Sequence, residues 1–160
     1  MKSELIKPGK EKYLLLNKLG AELKLSFSSH LVLARKIIAF DGINRKLLVV
    51  NTGNGLNDFS VIDLAAVKSI TVNKQYSPIK AGELLKRKFE EFLESITLMF
   101  DFEKNVDNKQ LHFYRRGIDS YPDLPALERN ARIWQMILSK IAGSENHKMP
   151  GINSNVLAKA

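Results

Sequence analysis

The chain has 160 residues, of which 44% are hydrophobic, 26% are charged and none is cysteine. That balance suits one globular domain with a continuous core. It excludes a disulfide framework, a thiolate metal site and a cysteine nucleophile. The net charge of +8 is uneven: residues 1–50 hold 10 Lys and Arg against 4 Asp and Glu, residues 51–100 hold 6 against 6, and residues 101–160 hold 9 against 7. The excess in the first third is spread singly along the chain, which reads as solubility with a bias toward anions. The longest apolar run near the start is Leu14 to Leu16, too short for a secretory leader, and no run reaches the roughly 18 residues a membrane span needs. A cytoplasmic, non-transmembrane protein is the expectation.

Pro8-Gly9 opens an amphipathic segment that Gly20 would stop, with Leu15, Leu16 and Leu19 on one side, predicting a helix over 10–19. In ELKLSFS, Leu23, Leu25 and Phe27 alternate with polar residues, the two-residue period of a half-buried strand. HLVLARKIIAFD, residues 30–41, reads as one longer strand, and KLLVVN follows across a three-residue Gly42-Ile43-Asn44 loop with Asn44 left-handed. TGNGLN (52–57) leads into DFSVIDL, Ala65-Ala66 forms a corner, and KSITVNKQ alternates again until Ser77-Pro78. AGELLKRKFEEFL, residues 81–93, returns to helical spacing through Leu85, Phe89, Phe92 and Leu93.

The stretch SITLMFDFEKNVDNKQLHFYRR, residues 95–116, sets three carboxylates and a histidine among alternating apolar residues. Read as a hairpin with a four-residue loop over 105–108, it pairs Phe102 with Leu111 and Phe100 with Phe113 on an inner face. Asp101 then stands opposite His112, and Thr97 opposite Arg116, on the outer one. LPALERNARIWQMILSKIAG starts after Asp123 with Pro125 in its first turn and ends before Gly143. Its stripe of Leu127, Ala131, Trp134, Leu138 and Ile141 needs a sheet to cover it. The tail 143–160 shows no period.

Seven strands followed by one long helix with a Trp in its stripe resemble the pleckstrin-homology-like (PH-like) fold. The segments KIIAFDGINRKLLVVN, FSVIDLAAVKSITV and ARIWQMIL are similar to uncharacterised bacterial members. The resemblance implies a mainly β, α+β chain: a seven-stranded antiparallel barrel-like sandwich over residues 21–142, capped by the C-terminal helix. A helical extension (1–20), a helical insert between strands five and six, and a tail (143–160) are added to it. Relatives of this kind bind peptides, phosphoinositide headgroups or proteins, and fold analogy transfers none of these by itself. The lipid-binding branch has a Lys in the first two strands and then two basic residues one position apart. Here Lys24 is followed by adjacent Arg35 and Lys36 and then Ile37, a different final spacing.

Several residues invite chemistry. An Asp101–His112 pair would orient an imidazole for general-base work, yet such cross-strand pairs are ordinary sheet stabilisers. Ser28-Ser29-His30 fits a turn better than a triad, and histidines at 30, 112 and 147 share no metal-binding spacing. Lys86-Arg87-Lys88 is interleaved with Glu83, Glu90, Glu91 and Glu94, as on a self-paired helix face. The GxG of NTGNGLN opens no helix, so its glycines are turn residues. Arg35, Lys36, Arg45 and Lys46 form a candidate anion or partner patch if they project together. The reading that results is a non-enzymatic binding or scaffold module without cofactor or metal. It would take a peptide or protein partner at a sheet edge or in the groove between strand five and the terminal helix. Electrostatic association with anionic lipid or nucleic acid is the alternative.

Overall fold

The computed structural model describes residues 8–52, 58–104, 106–120 and 123–143. Among them, seven strands form two antiparallel sheets, one of four strands and one of three, and the chain divides into two compact units at Asp63/Leu64.

In the first unit the stripe of Leu15, Leu16 and Leu19 continues one more turn to Leu23, and the helix α1 (Pro8–Leu23) follows it. The expected strand around Leu23, Leu25 and Phe27 is therefore absent. Leu23 belongs to both periods, and the helical one wins because it places four leucines against a common core. Gly20 lies inside the helix: a Cβ there would stand 2.9 Å from the Phe27 ring, so the missing side chain makes room for Phe27 to fold back. The helix ends instead at Lys24, left-handed at φ 59°, where Leu25 N–H donates to the Gly20 carbonyl (2.8 Å) and Lys24 N–H to that of Ala21 (3.3 Å). These are the two bonds of a Schellman closure.

Four strands follow as a meander: β1 (Ser29–Val32), β2 (Lys36–Asp41), β3 (Lys46–Asn51) and β4 (Asp58–Asp63), in that spatial order. The single strand expected over 30–41 is a hairpin instead. Val32 pairs with Ile37, and Leu33 N–H donates to the Lys36 carbonyl across Ala34-Arg35. No Gly, Pro or Asn marks that turn, so sequence gave no punctuation there. Leu16 and Leu19 pack with Ile37, Ala39, Leu48 and Val50, joined by Leu15, Leu23 and Phe27.

The loop between β2 and β3 has four residues, and its left-handed position is Arg45 (φ 58°) rather than Asn44. Asp41 fixes it. Its carboxylate is fully buried and accepts from the backbone N–H of Ser26 (2.8 Å), Ile43 (2.9 Å) and Asn44 (3.0 Å) and from Asn44 Nδ2 (2.7 Å).

In the second unit a 3-10 turn (Leu64–Ala66) leads into β5 (Val67–Tyr76), β6 (Leu93–Phe102) and β7 (Lys109–Arg115), ordered as they occur. The helix α2 (Leu124–Ile141) buries Leu127, Ala131, Trp134 and Leu138, as its stripe requires, and lies along β5 and β6. Asp123 caps it by accepting from Ala126 N–H (3.0 Å), and Gly143 follows its end at φ 92°. Ile96, Leu98, Phe100, Leu111 and Phe113 are all buried.

Two expectations fail in this unit. The register of β6 and β7 pairs Leu98 with Leu111 and Thr97 with His112, with an irregularity between Ile96 and Thr97 that leaves Phe113 without a direct partner. The hairpin loop is correspondingly longer than four residues, running from Glu103 to Asn108. From Thr97 to Phe100 the slip is four positions and beyond the irregularity it is three. Phe102, expected inward, is half-buried and Thr97, expected outward, is buried, so the apolar pattern alone does not fix the register. The helical insert expected over 81–93 is also absent. The segment makes two 3-10 turns, Glu83–Leu85 and Phe89–Phe92. Only Phe92 and Leu93 of its apolar residues enter a core, and a short helix without a buried face does not sustain itself.

Candidate functional site

The two basic pairs of the candidate patch lie at opposite ends of one ladder. Lys36 pairs with Asn51 and Lys46 with Asp41, so five residues of extended chain, about 17 Å, separate them. Lys36 is buried, and Lys46 meets Asp63 at 3.4 Å. Arg35 sits in the β1–β2 turn, its carbonyl accepting from Thr52 N–H (2.9 Å), and Arg45 sits in the β2–β3 turn.

Asp101 and His112 are not partners. The hydroxyl of Ser69 on β5 lies 3.2 Å from Asp101, and the His112 ring nitrogen Nδ1 lies 3.0 Å from Thr97 Oγ1. Both pairs are side-by-side contacts across strands, the first exposed and the second part-buried, with Thr97 itself buried. His30 belongs to the other unit, edge-on to Tyr13 at 5.0 Å, while His147 and the glycines of TGNGLN lie outside the described residues.

A concave site does exist in the second unit, where the end of β5 passes the first turns of α2. It is an open cleft of about 260 Å³, lined among others by Lys74, Tyr76, Phe89, Leu93, Pro125 and Glu128. Alternation along β5 sends Lys74 and Tyr76 to the helix side, and the helical period brings Glu128 one turn after Pro125 to meet them. Lys74 Nζ donates to Glu128 Oε1 at 2.9 Å, and Arg132 holds the other oxygen through Nε at 3.0 Å. The opposite wall is aromatic: Tyr76 and Phe89 stack with centroids 4.3 Å apart at 18°. The Lys74 ammonium is 5.6 Å from the Tyr76 centroid.

The charges stabilise one another. The hydrogen bond from Lys74 pulls the Glu128 carboxyl below its usual range; burial opposes this, and the bond from Arg132 reinforces it. Hydrogen bonding with Tyr76, then with Glu128, raises the Lys74 ammonium above its usual range. Further along, Gln135 Nε2 donates to the Ile70 carbonyl at 2.9 Å, so α2 covers β5 there and leaves it toward Tyr76, where the cleft opens.

Sequence reasoning named the groove between strand five and the terminal helix but none of its residues. Lys74, Tyr76 and Glu128 carry no motif, and the helical spacing of 81–93 places Phe89 on a helix face instead. At about 260 Å³ the cleft is smaller than the roughly 300–1,000 Å³ of a small-molecule site. Its size matches one or two side chains of a partner.

Fold and site together define an α+β chain with two antiparallel sheets and a C-terminal helix, carrying a shallow groove with one aromatic wall and one charged wall. Comparison with family models finds no match. Searches of curated proteins and of solved structures likewise find none. No helix among the described residues is long and apolar enough to cross a membrane.

Proposed function

We propose that the protein is a non-enzymatic binding module that seats an extended peptide, a free segment or part of a partner protein, in the cleft between β5 and α2. The observation that carries this reading is the cleft itself. A stacked Tyr76–Phe89 pair offers apolar contact to one side chain, and the Lys74–Glu128–Arg132 cluster offers charge to its neighbour. β5 is a terminal strand of its sheet, so an added strand would draw on backbone hydrogen bonding as well. The division into four and three strands followed by α2 also supports a PH-like arrangement. An experimental structure showing the two sheets packed apart, without a shared core, would remove that part of the reading.

The test is selection of binders from a random peptide library by the whole chain, followed by affinity measurement with variants. Tyr76→Ala and Lys74→Glu are expected to weaken the selected peptides by about tenfold or more each, as for central contacts of an interface. A Lys18→Glu variant, on the exposed side of α1 in the first unit, should leave them unchanged. Selection of no peptide, together with salt-sensitive binding of oligonucleotides, would instead favour electrostatic association through the basic first unit.

A further inference from the structure

The connection between β5 and β6 exposes apolar surface that the peptide groove does not use. Leu85 is 90% exposed and Leu84 52% exposed, side by side in the 3-10 turn Glu83–Leu85. Such exposure of two adjacent leucines differs from the scattered apolar residues of an ordinary surface. The turn stands clear of the fold: a Cβ built on Gly82, which opens it at φ 91°, meets nothing within 4 Å.

The base of this connection is held firmly. Ser77 N–H donates to the Phe92 carbonyl (2.8 Å), Phe92 is buried, and the Arg87 guanidinium lies 4.3 Å over its ring. Arg87 also meets Glu91 at 3.0 Å and Glu83 at 3.9 Å, so two of the local carboxylates are turned onto one cation. Lys80, Lys86 and Lys88 are exposed and flank the leucines in sequence, while Glu90 is the exposed carboxylate beside them and Glu94 is paired with Arg116. The result is a pair of exposed leucines on a pinned stem, with three exposed lysines close by in sequence.

We infer that the Leu84-Leu85 turn is a membrane-insertion tip, the leucines entering the acyl boundary of an anionic bilayer while Lys80, Lys86 and Lys88 meet its headgroups. Charge complementarity selects this occupant, because lysine stems reach from the interface to a negative surface while their apolar parts stay with the leucines. One short apolar insertion with a few lysines gives reversible binding rather than permanent anchoring. The inference is independent of the peptide groove, and the variants below leave Lys74, Tyr76 and Glu128 intact.

The experiment is sedimentation of the full chain with vesicles of phosphatidylcholine alone or with phosphatidylserine added. Binding to the mixed vesicles at about 0.05 M salt, released at about 0.5 M as screening shortens the field, is expected, with none to phosphatidylcholine alone. Leu84→Ser/Leu85→Ser should weaken it by at least about tenfold, and Lys86→Glu/Lys88→Glu by a similar factor, with melting temperatures unchanged. Because the chain has no cysteine, Leu85→Cys carrying a polarity-sensitive dye gives a second readout, a blue shift on the mixed vesicles. No sedimentation of the unaltered chain would overturn the inference. So would equal sedimentation of the leucine variant, or a dye shift produced by a protein partner and not by vesicles. Loss of binding on Lys74→Glu/Tyr76→Ala alone would place the lipid in the cleft and overturn it too. Failure of peptide selection leaves each of these results unchanged.

Discussion

Asp41 ties the β2–β3 turn and the segment before β1 together through one buried side chain. A buried carboxylate is costly unless its lone pairs are occupied, and here three backbone N–H groups and one side-chain amide occupy them. Burial pushes its pKa up, but the bonds from Asn44, Ser26 and Ile43 outweigh that and hold it below the usual value of 3.8. A lowered folded-state pKa means the contribution is complete above the unfolded value and is lost as pH falls through the folded one. Asp41→Ala is expected to cost about 2–4 kcal/mol at neutral pH, since it orphans several donors at once. The variant's urea midpoint should also fall less steeply than that of the parent below pH 3.8. A second residue-scale feature is Lys24, a side chain in the left-handed position that glycine usually fills at a helix end.

Between elements, the junction of β5 with α2 combines buried apolar side chains with two polar contacts, one along it and one at its end. Trp134 and Leu138 are buried in the second unit, Gln135 reaches the Ile70 carbonyl, and Lys74 meets Glu128. The ion pair is about one quarter exposed on each side, so its worth is modest, about 0.5–1 kcal/mol. Its pH window follows from the two shifts. The lowered Glu128 contributes above 4.5 and loses its contribution as pH falls through its folded value. The raised Lys74 contributes fully below 10.5 and loses its contribution as pH rises through its folded value. A Lys74→Met/Glu128→Gln double-mutant cycle should therefore return a coupling that is constant through neutral pH and shrinks at both extremes, read by urea unfolding. Elsewhere in this sheet the polar contacts are single cross-strand pairs: Thr97 with His112 between β6 and β7, where Thr97 is buried, and Ser69 with Asp101 between β5 and β6.

At the scale of the molecule, α1, β2 and β3 of the first unit share an apolar cluster, and β5 to β7 and α2 of the second all bury apolar side chains. Phe100 is wholly buried in the second. Phe100→Ala should cost about 3–5 kcal/mol, the range for emptying a large aromatic site. Urea unfolding gives the magnitude, and amide exchange should show the lost protection in β5 to β7. The charge of +8 is distributed rather than focused: Lys46 meets Asp63, Arg116 meets Glu94 at 3.5 Å, and Arg132 meets Glu128. That distribution gives the lysines flanking Leu84 and Leu85 in sequence their distinction, because there exposed cations accompany exposed apolar residues.

Period and composition by themselves determined the α+β class, the inward set of Ile96, Leu98, Phe100 and Phe113, and the full course of α2 from Asp123 to Gly143. Those are decided by which residues refuse water, and alternation or helical recurrence records that directly. Only the tertiary structure decided that Leu23 ends a helix, that 30–41 folds back at Ala34-Arg35, that β6 and β7 pair four positions away from the simplest hairpin, and that 81–93 is not a helix. In each case two local patterns competed, and the choice fell to what each would pack against, a partner many residues away that no short window contains. The cleft follows the same logic, since Lys74, Phe89 and Glu128 become neighbours only when β5, its following turns and α2 are in place.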